Sequence, residues 1–288
     1  MKDELKKERE VPITEQASFY DDLEQMSTAE ILHAMNAEDK KVAEAVEKCL
    51  PVIGNVVDVV SRQMACGGRL FYVGAGTSGR LGVLDASEIP PTFGVAEGRI
   101  IGLIAGGEQA LRHAVENAED DEMQGWQDLE AFRPTVNDFV IGIAASGSTP
   151  YVVGCLHEAR KRNIGTACLT SVPQSPITHE ADYAIEMFVG QEFLTGSSRL
   201  KSGTGQKMIL NQISTAIMIR LGRVKGNKMI HMQLTNKKLW KRSIRMLCQE
   251  LKVTEANAAQ LLQQYGSVGE VLKETMERTT EYENIPSS

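Results

Sequence analysis

The sequence predicts an α/β protein: a doubly wound, three-layer parallel sheet preceded by helices and followed by a small helical unit. Five short apolar runs, at residues 69–73, 99–104, 139–144, 165–170 and 183–189, have strand length. The first four each end in small or polar residues and lead into a helical pattern. Apolarity that is nearly continuous in such short runs fits strands covered on both faces, as in a parallel sheet with helical crossovers. The chain of 288 residues, 42% hydrophobic and 24% charged, is long enough to bury one large core or two smaller ones. A disordered or fibrous protein is excluded.

Before the sheet, Ser27-Thr28-Ala29-Glu30 has capping-box form and opens an apolar-periodic stretch, and Pro51 starts a second helix that Gly67-Gly68 ends. After the sheet, residues 203–222 read as a largely apolar helix whose methionines are core filler. From about Leu234 onward the chain reads as helical, with Thr254 and Ser267 as N-caps and Gly266 as a break. The expected division is an N-terminal helical segment at 1–50, the sheet domain at 51–225 and a C-terminal helical unit at 226–288. No internal repeat or low-complexity linker interrupts it.

The longest apolar run, at residues 139–145, falls far short of the roughly 18 residues that cross a bilayer, so no membrane partner is expected. The first ten residues alternate charges and lack an apolar core, which argues against a signal peptide and for a cytoplasmic protein. Cys49, Cys66, Cys155, Cys168 and Cys248 are scattered, in neither disulfide-framework nor zinc spacing. A formal net charge of −7 argues against nucleic acid as a partner, but the charge is uneven. Residues 1–50 hold seven Lys or Arg against thirteen Asp or Glu, whereas residues 199–245 hold twelve Lys or Arg and no acid. That basic segment reads either as a solvated face balancing the acidic end or as a field for a small anionic ligand.

Parallel sheets of this kind bind ligands at the carboxyl ends of their strands, which directs attention to the loops after each run. Gly74-Ala75-Gly76-Thr77-Ser78-Gly79 follows the first run and opens a helix. It matches a dinucleotide fingerprint literally, but the second run leads into Ala105-Gly106-Gly107 and supplies no acid for a ribose. Gly76, Thr77 and Ser78, with main-chain N–H groups at a helix start, instead suit a phosphate monoester. A tight turn that needs glycine for packing is the alternative. Ser146-Gly147-Ser148-Thr149-Pro150 gives a second hydroxyl-rich loop after the third run, contributing Ser146, Ser148 and Thr149. A third cluster, in residues 195–204, adds Ser197, Ser198 and the cation Lys201. One sugar phosphate can touch all three.

The acids are less selective. Glu88 lies in Asp85-Ala86-Ser87-Glu88-Ile89-Pro90-Pro91, where two prolines are expected to halt the helix and fix the carboxylate. Glu119 lies in an acid-rich stretch, residues 113–121, expected to be helical, and spacing does not choose it over Glu116. Taken singly, each acid reads first as part of a solvated helix face. The five histidines show no metal-ligand spacing, and neither a GxSxG nor a P-loop pattern is present.

The run Tyr72-Val73-Gly74-Ala75-Gly76-Thr77-Ser78-Gly79-Arg80-Leu81-Gly82-Val83-Leu84-Asp85-Ala86-Ser87-Glu88, with Pro90-Pro91-Thr92, resembles the N-acetylmuramic acid 6-phosphate etherase family. That family has the sugar isomerase (SIS) fold and is related to the glucokinase regulatory protein. Further matches are Gly102-Leu103-Ile104-Ala105-Gly106-Gly107, Ala114-Val115-Glu116-Asn117-Ala118-Glu119-Asp120, Gly142-Ile143-Ala144-Ala145-Ser146-Gly147, residues 194–204 and Leu221-Gly222-Arg223-Val224.

The resemblance implies a lyase that removes the D-lactyl group from C3 of N-acetylmuramic acid 6-phosphate by elimination through an unsaturated open-chain sugar and addition of water. No metal or organic cofactor is implied. By motif position Glu88 corresponds to the family's general acid and Glu119 to its second glutamate, taken as the base. Gly76, Thr77, Ser78, Ser146, Ser148, Thr149, Ser197, Ser198 and Lys201 would hold the sugar phosphate, and a homodimer is implied.

The chain departs from the family at Ser148, where Arg or Lys is usual, Val172-Pro173-Gln174-Ser175 for Asn-Pro-Gly-Ser, His231 for Asp, Gln16-Ala17-Ser18 for an Arg-Asn-Pro element, and in a C-terminal helical unit shorter than usual, while both glutamates remain. That is the pattern of a diverged second copy. A non-catalytic sugar-phosphate-binding regulator and a phosphosugar isomerase of the same fold therefore stand as alternatives.

Overall fold

The computed structural model of the chain describes residues 12–234 and 237–283, with side chains as far as residue 275. The charged N-terminal stretch read against a signal peptide, and the outer ends of the first and last expected domains, lie outside the described residues. The chain forms two compact units, one of residues up to 87 with 98–217, the other of residues 88–97 with those from 218 onward.

The first unit opens with two helices. α1 (Thr28–Glu47) begins with a reciprocal capping box: the Glu30 N–H donates to Ser27 Oγ at 3.3 Å, and the Ser27 N–H donates to the Glu30 carboxylate at 2.8 Å. α2 (Leu50–Ala65) carries Pro51 in its first turn, where the missing N–H costs nothing. Then come β1 (Leu70–Gly74), α3 (Gly76–Phe93), β2 (Ile100–Ile104), α4 (Gln124–Glu130), β3 (Phe139–Ile143), α5 (Pro150–Lys161), β4 (Gly165–Thr170), α6 (Pro176–His179), β5 (Tyr183–Glu186) and α7 (Lys201–Arg220). The five strands form one parallel sheet in the order β2-β1-β3-β4-β5. Its central strands β1 and β3 are buried along their whole length, as their unbroken apolarity predicts. β5 stops short of the predicted Val189: β4 itself ends at Thr170, whose carbonyl takes the last bond across, from the Met187 N–H at 2.8 Å.

Two local expectations fail. α3 does not halt before Pro90 and Pro91 but runs through them to Phe93, with the Gly94 N–H donating to the Pro90 carbonyl at 2.9 Å. Residues 113–121 form turns, not a helix: Asn117 takes a left-handed φ of 61°, and the crowded like charges favour turn conformations over a helix.

The second unit holds a minimal antiparallel hairpin, β6 (Val224–Lys225) and β7 (Lys228–Met229), which the sequence reading missed. It continues with α8 (Lys237–Leu251), α9 (Glu255–Tyr265) and α10 (Val268–Glu283). Thr254 caps α9 by accepting from the Asn257 N–H, Gly266 ends it in a left-handed conformation, and Ser267 accepts from the Glu270 N–H at the start of α10. Met232, Leu247, Ala258, Leu262 and Val271 form the core of this bundle. Among the described residues no helix is long and apolar enough to cross a membrane.

Candidate active site

Because β1 to β4 run parallel, the loops that leave them share the carboxyl edge of the sheet. Exposed Gly76 opens α3, followed by half-buried Thr77 and buried Ser78. The first N–H groups of a helix lack intrahelical acceptors, so this turn offers donors to an anion. Ser78 Oγ donates to Gln206 Oε1 at 3.0 Å, and Thr77 packs against Gly203. The start of α3 thus meets the first turns of α7, bringing together the first and third loops read from the sequence. Gln206 itself is buried, and its Nε2 has no hydrogen-bond partner.

In the second loop, the N–H and the hydroxyl of Ser148 both point to Ser146 Oγ, at 3.3 and 3.2 Å. Thr149 is the N-cap residue of α5, but its side chain does not cap that helix. In the third cluster Ser197 and Ser198 are half-buried, whereas Lys201 is 2% exposed, its Nζ lying 2.6 Å from Glu38 Oε2. The Lys201 and Ser202 N–H groups both donate to the Glu192 carboxylate at 2.9 Å. The first turn of α7 is therefore already capped by an internal anion, and its lysine is committed to Glu38. The segment ahead of α1 is tied to the same loop: Ser18 N–H donates to Thr195 Oγ1 at 2.9 Å, and Ser18 Oγ donates to the Phe193 carbonyl at 2.7 Å. After β4, Gln174 sits at φ 54° and its N–H donates to Glu186.

Glu119 reaches this edge through its backbone. Its carbonyl accepts from the Tyr151 N–H at 3.0 Å, which joins the turn to the start of α5, beside Thr149. The next residues are pressed against the same helix, for a Cβ on Gly154 would stand 1.9 Å from the Glu122 carbonyl oxygen. Asp121 fixes the turn's exit by accepting from the Met123 and Gln124 N–H groups. Glu116 and Glu119 are both exposed, but it is Glu119 whose main chain is bonded to α5.

Glu88 is exposed near the end of α3. Asp85, one turn earlier, is 5% exposed: it accepts from Tyr72 Oη at 3.1 Å, Asn211 Nδ2 at 2.7 Å and Ser214 Oγ at 3.1 Å. Burial pushes its pKa above the usual carboxylate value despite these donors. It binds α3 to β1 and α7. Sequence reading passed over Asp85, Glu192 and Gln206. Asp85 carried a signal, since it shares one face of α3 with Ser78, Gly82 and Ile89, where an acid needs partners; Glu192, nine residues from the N–H it caps, carried none. Among the described residues no three His, Cys, Asp or Glu side chains are grouped to hold a metal ion.

Comparison with known proteins agrees with this architecture. Residues 42–160 match the glucokinase regulatory protein N-terminal SIS domain, and residues 131–216 match the SIS domain. The N-acetylmuramic acid 6-phosphate etherase of Bacteroides fragilis is 59% identical over 258 residues, spanning 90% of this chain and 92% of that one. That of Christiangramia forsetii is 54% identical, spanning 91% and 95%. Among solved structures, phosphoheptose isomerase from Neisseria gonorrhoeae superposes with a TM-score of 0.52 at 15% identity, covering 66% of this chain and 98% of that one, which shows a shared fold.

Proposed function

The chain belongs to the N-acetylmuramic acid 6-phosphate etherase family, and from that premise we propose which of its residues carry the reaction. The enzyme is a lyase that cleaves the D-lactyl ether of N-acetylmuramic acid 6-phosphate, giving N-acetylglucosamine 6-phosphate and D-lactate. The observation that carries this is the 59% identity across nine-tenths of the chain.

In the open-chain sugar the C1 carbonyl acidifies the C2 hydrogen. Glu119 removes that proton, and Glu88 protonates the C3 ether oxygen as D-lactate leaves, so a C2–C3 double bond forms. Water then adds at C3. The two carboxyls must hold opposite protonation states as the step begins. The main-chain N–H groups of the turn at Gly76, Thr77 and Ser78, with the Thr77 hydroxyl, receive the phosphate, while the buried Ser78 hydroxyl ties the turn to Gln206; Ser146, Ser148 and Thr149 hold the sugar beside Glu119; Ser197 and Ser198 close the far side. Lys201 acts through Glu38, as an internal strut.

The length of α3 supports a homodimer. Ser87, the residue before Glu88, already stands ten residues along the helix from Thr77, about 15 Å of axial rise. The 6-phosphate and C3 ether of one hexose lie closer together than that. Glu88 then serves a sugar whose phosphate is held by the other copy of the chain. Five free cysteines favour a reducing compartment, the cytoplasm, where a phosphorylated cell-wall sugar is recycled.

The test is D-lactate release from N-acetylmuramic acid 6-phosphate by the wild type, Glu88→Gln and Glu119→Gln. Release by the wild type alone is expected. Release undiminished in either variant would remove that residue from the mechanism.

A further inference from the structure

The stretch of α3 that carries Glu88 is a weak piece of helix. Pro90 and Pro91 have no N–H, so the carbonyls four residues before them, at Ala86 and Ser87 just ahead of Glu88, lose the donors a helix would supply. What holds this turn comes from the second unit. The Gln233 N–H donates to the Pro91 carbonyl at 3.2 Å. Gly94, at φ 64°, lies so close to the neighbouring chain that a Cβ there would stand 1.8 Å from the His231 carbonyl oxygen.

The clamping segment, residues 230–233, is itself anchored to the helical bundle. Met232 is buried in the α8–α10 core, and the Gly269 N–H donates to the Ile230 carbonyl at 2.7 Å. The His231 ring fills the space over Gly269, where a Cβ would come within 2.2 Å of it, and its Nδ1 lies 3.4 Å from Ser267 Oγ. The contacts run from bundle to residues 230–233, and from there to the turn of Glu88.

We infer that His231 is a positioning residue for Glu88: its ring, seated on Gly269 at the start of α10, sets where residues 230–233 grip the last turn of α3, and so where the acid stands. This rests on the assignment of Glu88 as the general acid. The helical bundle is then part of the catalytic apparatus. Its contribution falls on departure of lactate and not on removal of the C2 proton, which belongs to Glu119 in the other unit.

Gly269→Ala tests it. The backbone there is helical, so alanine favours the helix while its methyl displaces the ring. D-lactate release, KM, Tm and incorporation of deuterium at C2 of recovered substrate in D2O are measured, with Glu88→Gln as control. The expected result is release slowed about tenfold or more, with KM, Tm and C2 exchange close to wild type. The double variant His231→Ala/Gly269→Ala, which removes the collision, is expected to recover the rate of His231→Ala alone. His231→Ala adds no bulk and serves if Gly269→Ala does not fold; slowed release with exchange kept is again expected.

Wild-type release in these variants, while Glu88→Gln is inactive, overturns the inference and leaves the role of Glu88 standing. So does a double variant slower than His231→Ala alone, or exchange and release falling together. Wild-type release by Glu88→Gln overturns both.

Discussion

Glu119 and Glu88 are both exposed carboxylates on short, irregular or weakened pieces of backbone, yet they are mounted in opposite ways. The Glu119 turn is held within the α/β unit, by the Tyr151 N–H and by the contact at Gly154. The Glu88 turn is held by a loop and a helix start that belong to the C-terminal bundle. Among the described residues neither carboxylate makes a side-chain hydrogen bond or ion pair; each is placed through its backbone. Each proposed catalytic carboxylate is positioned by what grips its main chain, and the proposed base and acid answer to different cores.

The largest effect that sharpens this contrast comes from the acids themselves. Glu119→Gln and Glu88→Gln should each slow D-lactate release by about 10²- to 10⁴-fold, but Glu119→Gln should also abolish deuterium exchange at C2, which Glu88→Gln should retain. Equal loss of exchange in both would erase the division of labour. Next is Lys201→Met, which takes from Glu38 its buried cation and leaves it Lys41, at 2.6 Å, and the Tyr20 hydroxyl; it should cost about 3 kcal/mol in denaturant unfolding, the low end for a broken buried pair. Folded enzyme that survives should keep its KM, because the ammonium faces Glu38 and not the sugar. Gly154→Ala should be milder, costing roughly 1–3 kcal/mol by forcing α5 and Glu122 apart, and it should slow exchange and release together.

Acid separates the two cores more gently. Burial alone would raise the Asp138 carboxyl, but the Arg69 guanidinium and the N–H groups of Thr135 and Arg69 hold it below its ordinary 3.8. The fold therefore favours the ionised form, and this stability is present above that value and is lost as pH falls below it. His231 is pushed below its ordinary 6.5 by burial and by Arg223, against the pull of Glu270, so the fold favours the neutral ring. Its contribution is full above pH 6.5 and declines as pH falls. Hydrogen exchange should thus show α8–α10 losing protection before the sheet does as pH is lowered. The smallest change expected is a gain: Gln174→Gly relieves a left-handed residue and should add up to about 1 kcal/mol in thermal unfolding.

The sheet, the helix caps and the loops at the strand ends were legible because each rests on local chemistry. Ser27, Thr254, Gly266 and Ser267 do what their residue types do anywhere. The Glu119 turn was not legible, since its acids have helical spacing and only the left-handed Asn117 and the bond to Tyr151 break the pattern. Pro90 and Pro91 read as a stop because a helix end is judged from its own residues, whereas Gln233 supports it from 142 positions away. Lys201 read as a substrate cation because a lysine is nearly always at the surface. Its partner, Glu38, lies in a helix with no sequence relation to it.

The Glu38–Lys201 pair also constrains how the chain is made. Its two members are 163 residues apart, and α1 is synthesised long before α7. Lys41, on α1 itself, pairs with one oxygen of Glu38 from the start, but the other oxygen has no buried cation until α7 is made. On the ribosome this interior is completed only once Lys201 has emerged, so its closing marks a nearly complete α/β unit and not its beginning.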